Sequence, residues 1–171
     1  ATSAMPTLFE CERIQSLSGV SYPLIDGAIV ANNPAMCAYA EVHNVFPEGF
    51  AGPKPVHPTG MVLLSLGTGI APTQYDYDDA KNWGLARWTR PLLDMTAAAS
   101  VETVHFQLQQ LFTAAGVKKQ YLRLDPRLTV DIKSDKDEAD ADNVLALKEL
   151  GAYVAETQED KIDAFIELLV A

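Results

Sequence analysis

The sequence predicts an α/β fold of three layers, in which a largely parallel sheet is flanked by helices. Short apolar runs that end in turn residues alternate with longer runs of helical periodicity, and no repeat or low-complexity tract interrupts them. The chain has 171 residues, of which 48% are hydrophobic and 21% charged, a composition typical of one globular domain. We therefore expect a single domain.

The first informative element is an apolar strand that starts at Tyr22 and runs into Asp26 and Gly27. A helix start follows, because Asn33 is a favoured N-cap residue and Pro34 suits the first helical position. Gly27 permits backbone angles and close approaches that a side chain would forbid. This geometry delivers a carboxylate to a strand end, where it can act as a catalytic base. The alternative is that Asp-Gly forms only a structural turn.

The middle of the chain continues the alternation. Helical spacing predicts a helix over 34–45 with Cys37 at a buried position, and the prolines and glycines of 47–60 predict a surface loop. The apolar run 61–66 predicts a strand buried on both faces of a parallel sheet. The Gly-Thr-Gly of 67–69 favours a tight turn over a phosphate cradle, because no lysine-containing phosphate-binding motif follows it.

The C-terminal part predicts a long helix over 92–115, a strand over 119–124 and helices in the tail. A capping box, Thr157-x-x-Asp160, is expected to begin the last helix. His105 lies beside the apolar stripe of the long helix and is expected to be partly buried. The stripes consist of Val101, Val104, Leu108 and Leu111 in the long helix, and of Val144, Leu147, Val154, Ile162, Phe165, Ile166 and Leu169 in the tail.

The net charge of the chain restricts the classes of molecule that it can bind. A net charge of −10 makes nucleic acid an unsuitable partner, since phosphate binding requires clustered Lys and Arg. Any contact with a lipid surface must use a local patch, and Trp83 and Trp88, interleaved with Arg87 and Arg90, resemble one. Core packing of the two indoles is the alternative that the sequence favours. No apolar run approaches the roughly 18 residues of a membrane span, so we expect a soluble or peripheral protein, for example in a bacterial cytoplasm.

The sequence predicts no metal and no cofactor. The acidic clusters at 76–81 and 135–140 lack the sixth-position glycine and the later glutamate of a calcium-binding loop. Acidic residues before a helix N-terminus explain both clusters. His43, His57 and His105 are dispersed and do not have the paired spacing of a zinc-binding helix.

Three stretches in order, residues 1–9, 22–34 and 63–69, resemble the patatin-like phospholipases, and the Tyr-Leu-Arg-x-Asp-Pro of 121–126 is similar to a segment near the end of that family's domain. The family consists of lipid acyl hydrolases that use a Ser-Asp dyad. The resemblance implies an acyl ester substrate and makes Asp26 the dyad aspartate. The supporting residues that it implies are Gly27, Ala28, Asn32, Asn33, Gly67 and Gly69.

The dyad serine is not found, because no serine of the sequence lies in a Gly-x-Ser-x-Gly elbow. The nearest match, at residues 19–23, ends in Pro23 where the elbow requires glycine. We therefore expect the C-terminal half of a patatin-like domain, with 1–45 ending the catalytic core and 46–171 supplying C-terminal strands and covering helices. Its sheet would be incomplete on the N-terminal side, and the chain would be inactive without an N-terminal half. The alternative function is a non-catalytic α/β binding or interaction module.

Overall fold

A computed structural model describes residues 3–6, 8–45, 57–71, 75–134 and 138–170. Most of the predicted loop over 47–60 lies outside these residues. The strands are β1 (Glu12–Gln15), β2 (Ser21–Leu24), β3 (Leu63–Leu66) and β4 (Tyr121–Leu124). The helices are α1 (Ala28–Ala31), α2 (Ala35–Val45), α3 (Tyr77–Ala80), α4 (Leu85–Ala114), α5 (Ala141–Thr157) and α6 (Glu159–Val170). The predicted α/β class is confirmed.

β1 and β2 form an antiparallel hairpin in which Glu12 lies opposite Leu24. Its turn closes with a hydrogen bond of 2.8 Å from the Ser16 amide to the Val20 carbonyl, and Gly19 has a φ of 83°, which favours glycine. The strand that leads to Asp26 was predicted, whereas β1 was not, because Glu12 to Gln15 carry only one aliphatic side chain.

β3 and β4 pair in parallel, with Leu63 opposite Tyr121, and a further parallel bridge joins Ile70 to Arg127. The parallel arrangement was predicted, but the prediction that β3 is buried on both faces was wrong. Leu66 is 69% exposed, whereas the Ser65 side chain is buried. Successive side chains alternate between the two faces of a strand, so the face that bears Leu64 and Leu66 is less covered by described residues than the face that bears Ser65.

The main core cluster lies between α2, α4 and β4. Its buried members are Ala35, Leu108, Phe112 and Tyr121, and Met36, Tyr39, Met61, Leu63, Val104 and Val117 pack against them. α4 is longer than predicted, because it continues through Pro91 instead of beginning after it. The stripe of α4 was predicted in part: Leu108 is fully buried, but Leu111 is 39% exposed.

Two further predictions for helical positions were wrong. Cys37 is exposed, because it does not lie on the face of α2 that meets the core cluster. Thr157 does not cap α6. Its hydroxyl instead donates a hydrogen bond of 2.8 Å to the Tyr153 carbonyl one turn earlier in α5.

The two tail helices themselves were predicted, and Phe165 is their most deeply buried apolar side chain among the described residues.

The accessible surface is large for the size of the chain. It measures 12,708 Å², whereas a folded monomer of 18.6 kDa is expected to expose about 8,200 Å². Large apolar side chains on β2, β3, α1 and α4 are exposed, as the values for Leu64 (49%), Val30 (88%) and Phe106 (60%) illustrate. In the described part of the chain, none of the helices combines the length and apolar character needed to cross a membrane.

Candidate active site

Asp26 lies just beyond the end of β2 and is half-buried. Its backbone amide donates a hydrogen bond of 3.0 Å to the carbonyl of Ala4, which ties it to the N-terminal segment. Its Oδ1 accepts a hydrogen bond of 2.8 Å from the amide of Ala28, in the first turn of α1. Within the described residues, Oδ2 has no hydrogen-bond partner and no cation forms an ion pair with the carboxylate.

Gly27 does not have the predicted backbone geometry. Its φ of −63° and ψ of −21° are ordinary helical values, and it precedes α1 directly. A Cβ built on Gly27 would meet nothing within 4 Å. The chain therefore passes from β2 into a short helix that was not predicted, and the described residues impose no requirement for glycine at this position. Ala28, which follows, is half-buried at the start of that helix.

Asn32 and Asn33 connect this segment to α4. The Asn33 side chain is 4% exposed; its Oδ1 accepts a hydrogen bond of 3.1 Å from the Ala35 amide, as the predicted N-cap of α2 should. Its Nδ2 donates to the Val101 carbonyl, and the Asn32 Nδ2 donates to the Ala97 carbonyl, both at 3.4 Å. The helix that follows, α2, begins one residue after the predicted start.

Gly67 and Gly69 lie in a loop that closes around the Asp125 carboxylate. The Gly69 amide donates a hydrogen bond of 3.0 Å to Asp125 Oδ1, and the Gly67 amide donates one of 2.8 Å to the Leu124 carbonyl. A Cβ on Gly67 would overlap the Asp125 carboxylate, and Gly69 has a φ of 98°. The local structure therefore explains why glycine occupies both positions. No hydrogen bond or ion pair of the described residues joins this loop to Asp26.

Sequence reasoning missed the polar cluster beneath this loop. Arg123 Nη2 lies 2.5 Å from Asp125 Oδ2, and Arg123 Nη1 donates to Ser65 Oγ at 2.6 Å. The side chains of Arg123 and Asp125 are only 8% and 10% exposed. Tyr121, Arg123 and Asp125 are spaced by two in and after β4, and this spacing was the available signal that they share one face.

His105 on α4 completes the cluster, with its Nδ1 2.9 Å from the Tyr121 hydroxyl. Burial lowers the pKa of His105; the Arg123 guanidinium lowers it further, and the Asp125 carboxylate opposes both effects. Burial raises the pKa of the Tyr121 hydroxyl, while Arg123 and a hydrogen bond with Ser65 act against that shift. Because Ser65 Oγ accepts from Arg123, and His105 contacts Tyr121 instead of Ser65, the cluster is not a Ser-His-Asp triad.

Trp83 and Trp88 are partly buried and pack against each other, edge to face, with ring centroids 5.1 Å apart. Tyr75 packs on Trp83 at 5.7 Å, and the Arg87 guanidinium lies 5.0 Å from the centroid of the Trp83 ring. The Trp83 Nε1–H is buried without a hydrogen-bond partner among the described residues. Neither indole belongs to the main core cluster, so the aromatic group of Tyr75, Trp83 and Trp88 is a separate surface unit.

The acidic clusters begin helices where they are described. Asp76 Oδ1 accepts a hydrogen bond of 2.7 Å from the Asp78 amide at the start of α3, and Asp140 caps α5 in the same way at 3.2 Å. Residues 135–137 lie outside the described chain. The described residues contain no group of three or more His, Cys, Asp or Glu side chains that could hold a metal ion.

These observations define an α/β protein with a half-buried carboxylate at a strand end. The chain matches no protein-family model. It is 34% identical to "Patatin-like protein 2" of Arabidopsis thaliana over 149 residues. This match covers 78% of the chain and 37% of that relative. It is 31% identical to "Patatin-like protein 3" of Arabidopsis thaliana, over 95% of the chain and 41% of the relative. The potato protein named "Probable inactive patatin-3-Kuras 1" is 28% identical, over 99% of the chain and 50% of the relative.

The chain belongs to the patatin-like family. It spans 37% to 50% of the length of the three relatives above.

Proposed function

We propose that this chain is the C-terminal portion of a lipid acyl hydrolase, in which Asp26 is the general base for a serine supplied by polypeptide outside these 171 residues. The observation that carries the proposal is the state of the Asp26 carboxylate. One oxygen is fixed by the Ala28 amide at 2.8 Å, and the other has no partner in the described chain. A carboxylate held in this way is oriented, yet it retains an oxygen that can accept a proton.

In the proposed reaction the serine hydroxyl gives its proton to Asp26 Oδ2 while its oxygen attacks the acyl carbon of the ester. The carbonyl electron pair moves to oxygen and returns as the ester bond breaks, and the departing alkoxide takes the proton from Asp26. Water then attacks the acyl-serine, gives a proton to Asp26, and the serine leaves with that proton. A carboxylate is a weak base for an alcohol, so backbone donors from the other part of the domain must stabilise the oxyanion.

The need for a second part of the domain has independent support. The chain exposes about one and a half times the surface expected for its mass. It also spans less than half of the length of both Arabidopsis relatives. β3 and β4 form a sheet of only two strands in the described residues, and Leu64 and Leu66 are exposed on one face of it. We propose that the N-terminal half covers this face and carries the serine.

The second candidate function, a non-catalytic α/β module, is favoured by one specific observation. The hydrogen bond from the Ala28 amide gives Asp26 a structural role at the start of α1 that requires no chemistry. One of the relatives is, in addition, named as a probable inactive patatin.

A serine-directed fluorophosphonate probe separates the two functions. In a longer protein that contains this chain together with the proposed N-terminal half, called the longer protein below, the catalytic function predicts covalent labelling of one serine, and labelling should be lost when Asp26 is replaced by Asn. The 171-residue chain should not be labelled, because none of its serines lies in a Gly-x-Ser-x-Gly elbow. Labelling of this chain alone, or equal labelling of the longer protein with and without the substitution, would contradict the proposal.

We also propose that the aromatic group of Tyr75, Trp83 and Trp88 is where this chain contacts a lipid surface. The indoles are partly exposed, Leu85 beside them is 86% exposed, and Arg87 can meet lipid phosphate. The overall charge of −10 opposes binding to anionic lipid, so a neutral membrane suits this contact best.

A further inference from the structure

Asn33 is a buried polar residue at the junction of α1 and α2, and only 4% of it is exposed. Its Oδ1 caps α2 by accepting a hydrogen bond of 3.1 Å from the Ala35 amide. Its Nδ2 donates a hydrogen bond of 3.4 Å to the carbonyl of Val101 in α4. An N-cap requires only a side-chain oxygen, which serine or aspartate supplies equally well. The cap therefore does not account for the amide nitrogen of Asn33, whereas the bond to α4 does.

Asn32, the neighbouring residue, makes a second bond of this kind. Its Nδ2 donates to the Ala97 carbonyl at 3.4 Å. Ala97 and Val101 are four residues apart, so their carbonyls lie on the same face of α4, one helical turn from each other. We call the side chains of Asn32 and Asn33 the asparagine tether. The tether joins the end of α1 to two successive turns of α4.

α1 depends on hydrogen bonds for its position because apolar burial contributes little to it. None of its residues is buried in the described structure, and Ile29 and Val30 are 51% and 88% exposed. Just before its start, the Asp26 amide donates a hydrogen bond of 3.0 Å to the Ala4 carbonyl. Just after its end, the tether bonds the chain to α4. The position of α1 is therefore set mainly by hydrogen bonds on its two sides.

A movement of α1 would change the direction of the Asp26 carboxylate. The Ala28 amide, which fixes Asp26 Oδ1 at 2.8 Å, belongs to the first turn of α1. The Ile29 amide of the same turn donates to the Asp26 carbonyl at 3.3 Å. A displacement of about 1 Å is enough to cost a catalytic group about a hundredfold in rate.

We propose that Asn33 is a positioning residue for Asp26. The tether, with the bond from Asn33 as its buried member, holds α1 against α4 and thereby keeps Asp26 Oδ2 directed at the place where the serine hydroxyl must arrive. The effect of Asn33 on turnover rests on the proposed hydrolase function. Its effect on the turn at Asp26 does not, and it can be measured in this chain alone.

Hydrogen exchange of the Ala28 amide tests the tether without catalysis. Asn33→Ser keeps an oxygen that can cap α2 but removes the donor to the Val101 carbonyl. In the 171-residue chain, NMR should show that the Ala28 amide of this variant exchanges at least about tenfold faster than in the wild type, because the turn at Asp26 opens more often. Unchanged exchange in a folded variant would overturn the inference.

Asn143→Ser is the matched control, because Asn143 is 5% exposed and joins two segments in the same manner. Its Nδ2 donates to the carbonyls of Lys133 and Glu138, and its Oδ1 accepts the Lys133 amide. This variant should accelerate exchange of the Val144 amide in α5 and leave that of Ala28 within about twofold of the wild type. Equal acceleration at Ala28 by both variants would indicate general destabilisation and would overturn the inference.

Steady-state kinetics of the longer protein test the effect on the reaction. Asn33→Ser should lower kcat about ten- to a hundredfold and leave KM within about twofold, because it disturbs the direction of the base and not the binding of the ester. Asn143→Ser should retain the kcat of the wild type, although it also loses a buried asparagine. An equal fall in kcat for both variants would contradict the positioning role.

These outcomes separate the inference from the proposed function. If the longer protein hydrolyses esters and Asn33→Ser retains kcat, the positioning role fails and the hydrolase proposal stands. If no ester is hydrolysed but exchange at Ala28 is accelerated as expected, the hydrolase proposal fails and the tether stands as the support of the turn at Asp26. If Asn33→Ser does not fold, Asn32→Ser takes its place, since Asn32 is exposed and supplies the other donor. Unchanged exchange at Ala28 in that variant would overturn the inference.

Discussion

Asp125 explains why glycines follow β3. Its carboxylate occupies the space that a Cβ on Gly67 would require. The same carboxylate accepts a hydrogen bond from the amide of Gly69, and Gly69 has a left-handed backbone conformation. The Gly-Thr-Gly sequence is thus a loop built around a carboxylate of the same chain. This role is structural, and it accounts for the glycines without any bound phosphate.

Gly67→Ala should lower the free energy of unfolding by about 1–3 kcal/mol, because the new methyl group must displace the buried Asp125 carboxylate. Gly27→Ala is the matched control. Its Cβ meets nothing within 4 Å, so the stability of this chain should change by less than about 0.5 kcal/mol. Urea denaturation of both variants measures the difference, and equal stability losses would contradict the role given to Asp125.

His105 should make stability depend on pH. Because its pKa in the folded chain is lowered, the unfolded chain binds the proton more readily. Its contribution to stability is therefore complete above the ordinary histidine pKa of 6.5 and declines as the pH falls below that value. His105→Asn keeps a hydrogen-bonding group near Tyr121 but does not titrate. Between about pH 7.5 and pH 5.5 the wild type should lose more unfolding free energy than this variant.

His105→Ala is the control for the lost hydrogen bond. It should be less stable than His105→Asn at every pH, yet its dependence on pH should be equally shallow. Parallel curves for the wild type and both variants would contradict the account of His105.

At the scale of elements, α4 organises the described fold. One region of it accepts hydrogen bonds from Asn32 and Asn33, next to the Asp26 segment, and another carries His105 and Leu108 against β4. The same helix therefore contacts both the segment that follows Asp26 and the strand pair. The α4 residues that make these contacts lie between Ala97 and Leu108, in the part of the helix that follows Pro91.

The sequence predicted the elements better than their burial. α2, β3, β4 and the two tail helices follow from apolar periodicity, which is a local property of the chain. The exposure of Cys37 and of Leu66 could not be predicted in this way, because it depends on which neighbouring elements are present.

The candidate active site, like the fold, could be predicted from the sequence only in part. The position of Asp26 at a strand end followed from the pattern around it, but the helical backbone of Gly27 did not, since Asp-Gly is compatible with several turns. The Arg123–Asp125 pair was missed because its partners Ser65 and Gly69 lie more than fifty residues away in sequence.

Replacing both Trp83 and Trp88 by Ala should lower partitioning of this chain into neutral phosphatidylcholine vesicles at least about tenfold, since two partly exposed indoles are lost. Tyr153→Ala removes a 62% exposed aromatic ring from α5 and should leave partitioning unchanged. Vesicle sedimentation measures the bound fraction. Unchanged partitioning of a folded double variant would exclude the aromatic group as a lipid contact.

At the scale of the whole molecule, the exposed apolar surface is the feature behind the proposal that this chain is part of a larger domain. Exposed apolar side chains lie on β3, α1 and α4, where Leu66, Val30 and Phe106 are 69%, 88% and 60% exposed. Exposed apolar surface of this extent is typical of a site of contact with other polypeptide, a ligand or a membrane.

The dye ANS, which becomes fluorescent on apolar surface, should therefore bind more strongly to this chain than to the longer protein at equal molar concentration. The longer protein should also unfold at a higher temperature, because the proposed N-terminal half would bury the exposed face of β3. Equal ANS fluorescence of the two proteins would contradict the proposed covering.

The most direct test of the central claim is the esterase turnover of Asp26→Asn in the longer protein. The amide oxygen can still accept the Ala28 N–H, so the start of α1 is kept, but the side chain can no longer take a proton. Turnover should fall by about a thousandfold or more with little change in melting temperature. Asp76→Asn, at the aspartate that caps α3, should retain full turnover. A fall of less than about tenfold for Asp26→Asn would contradict the assignment of Asp26 as the general base.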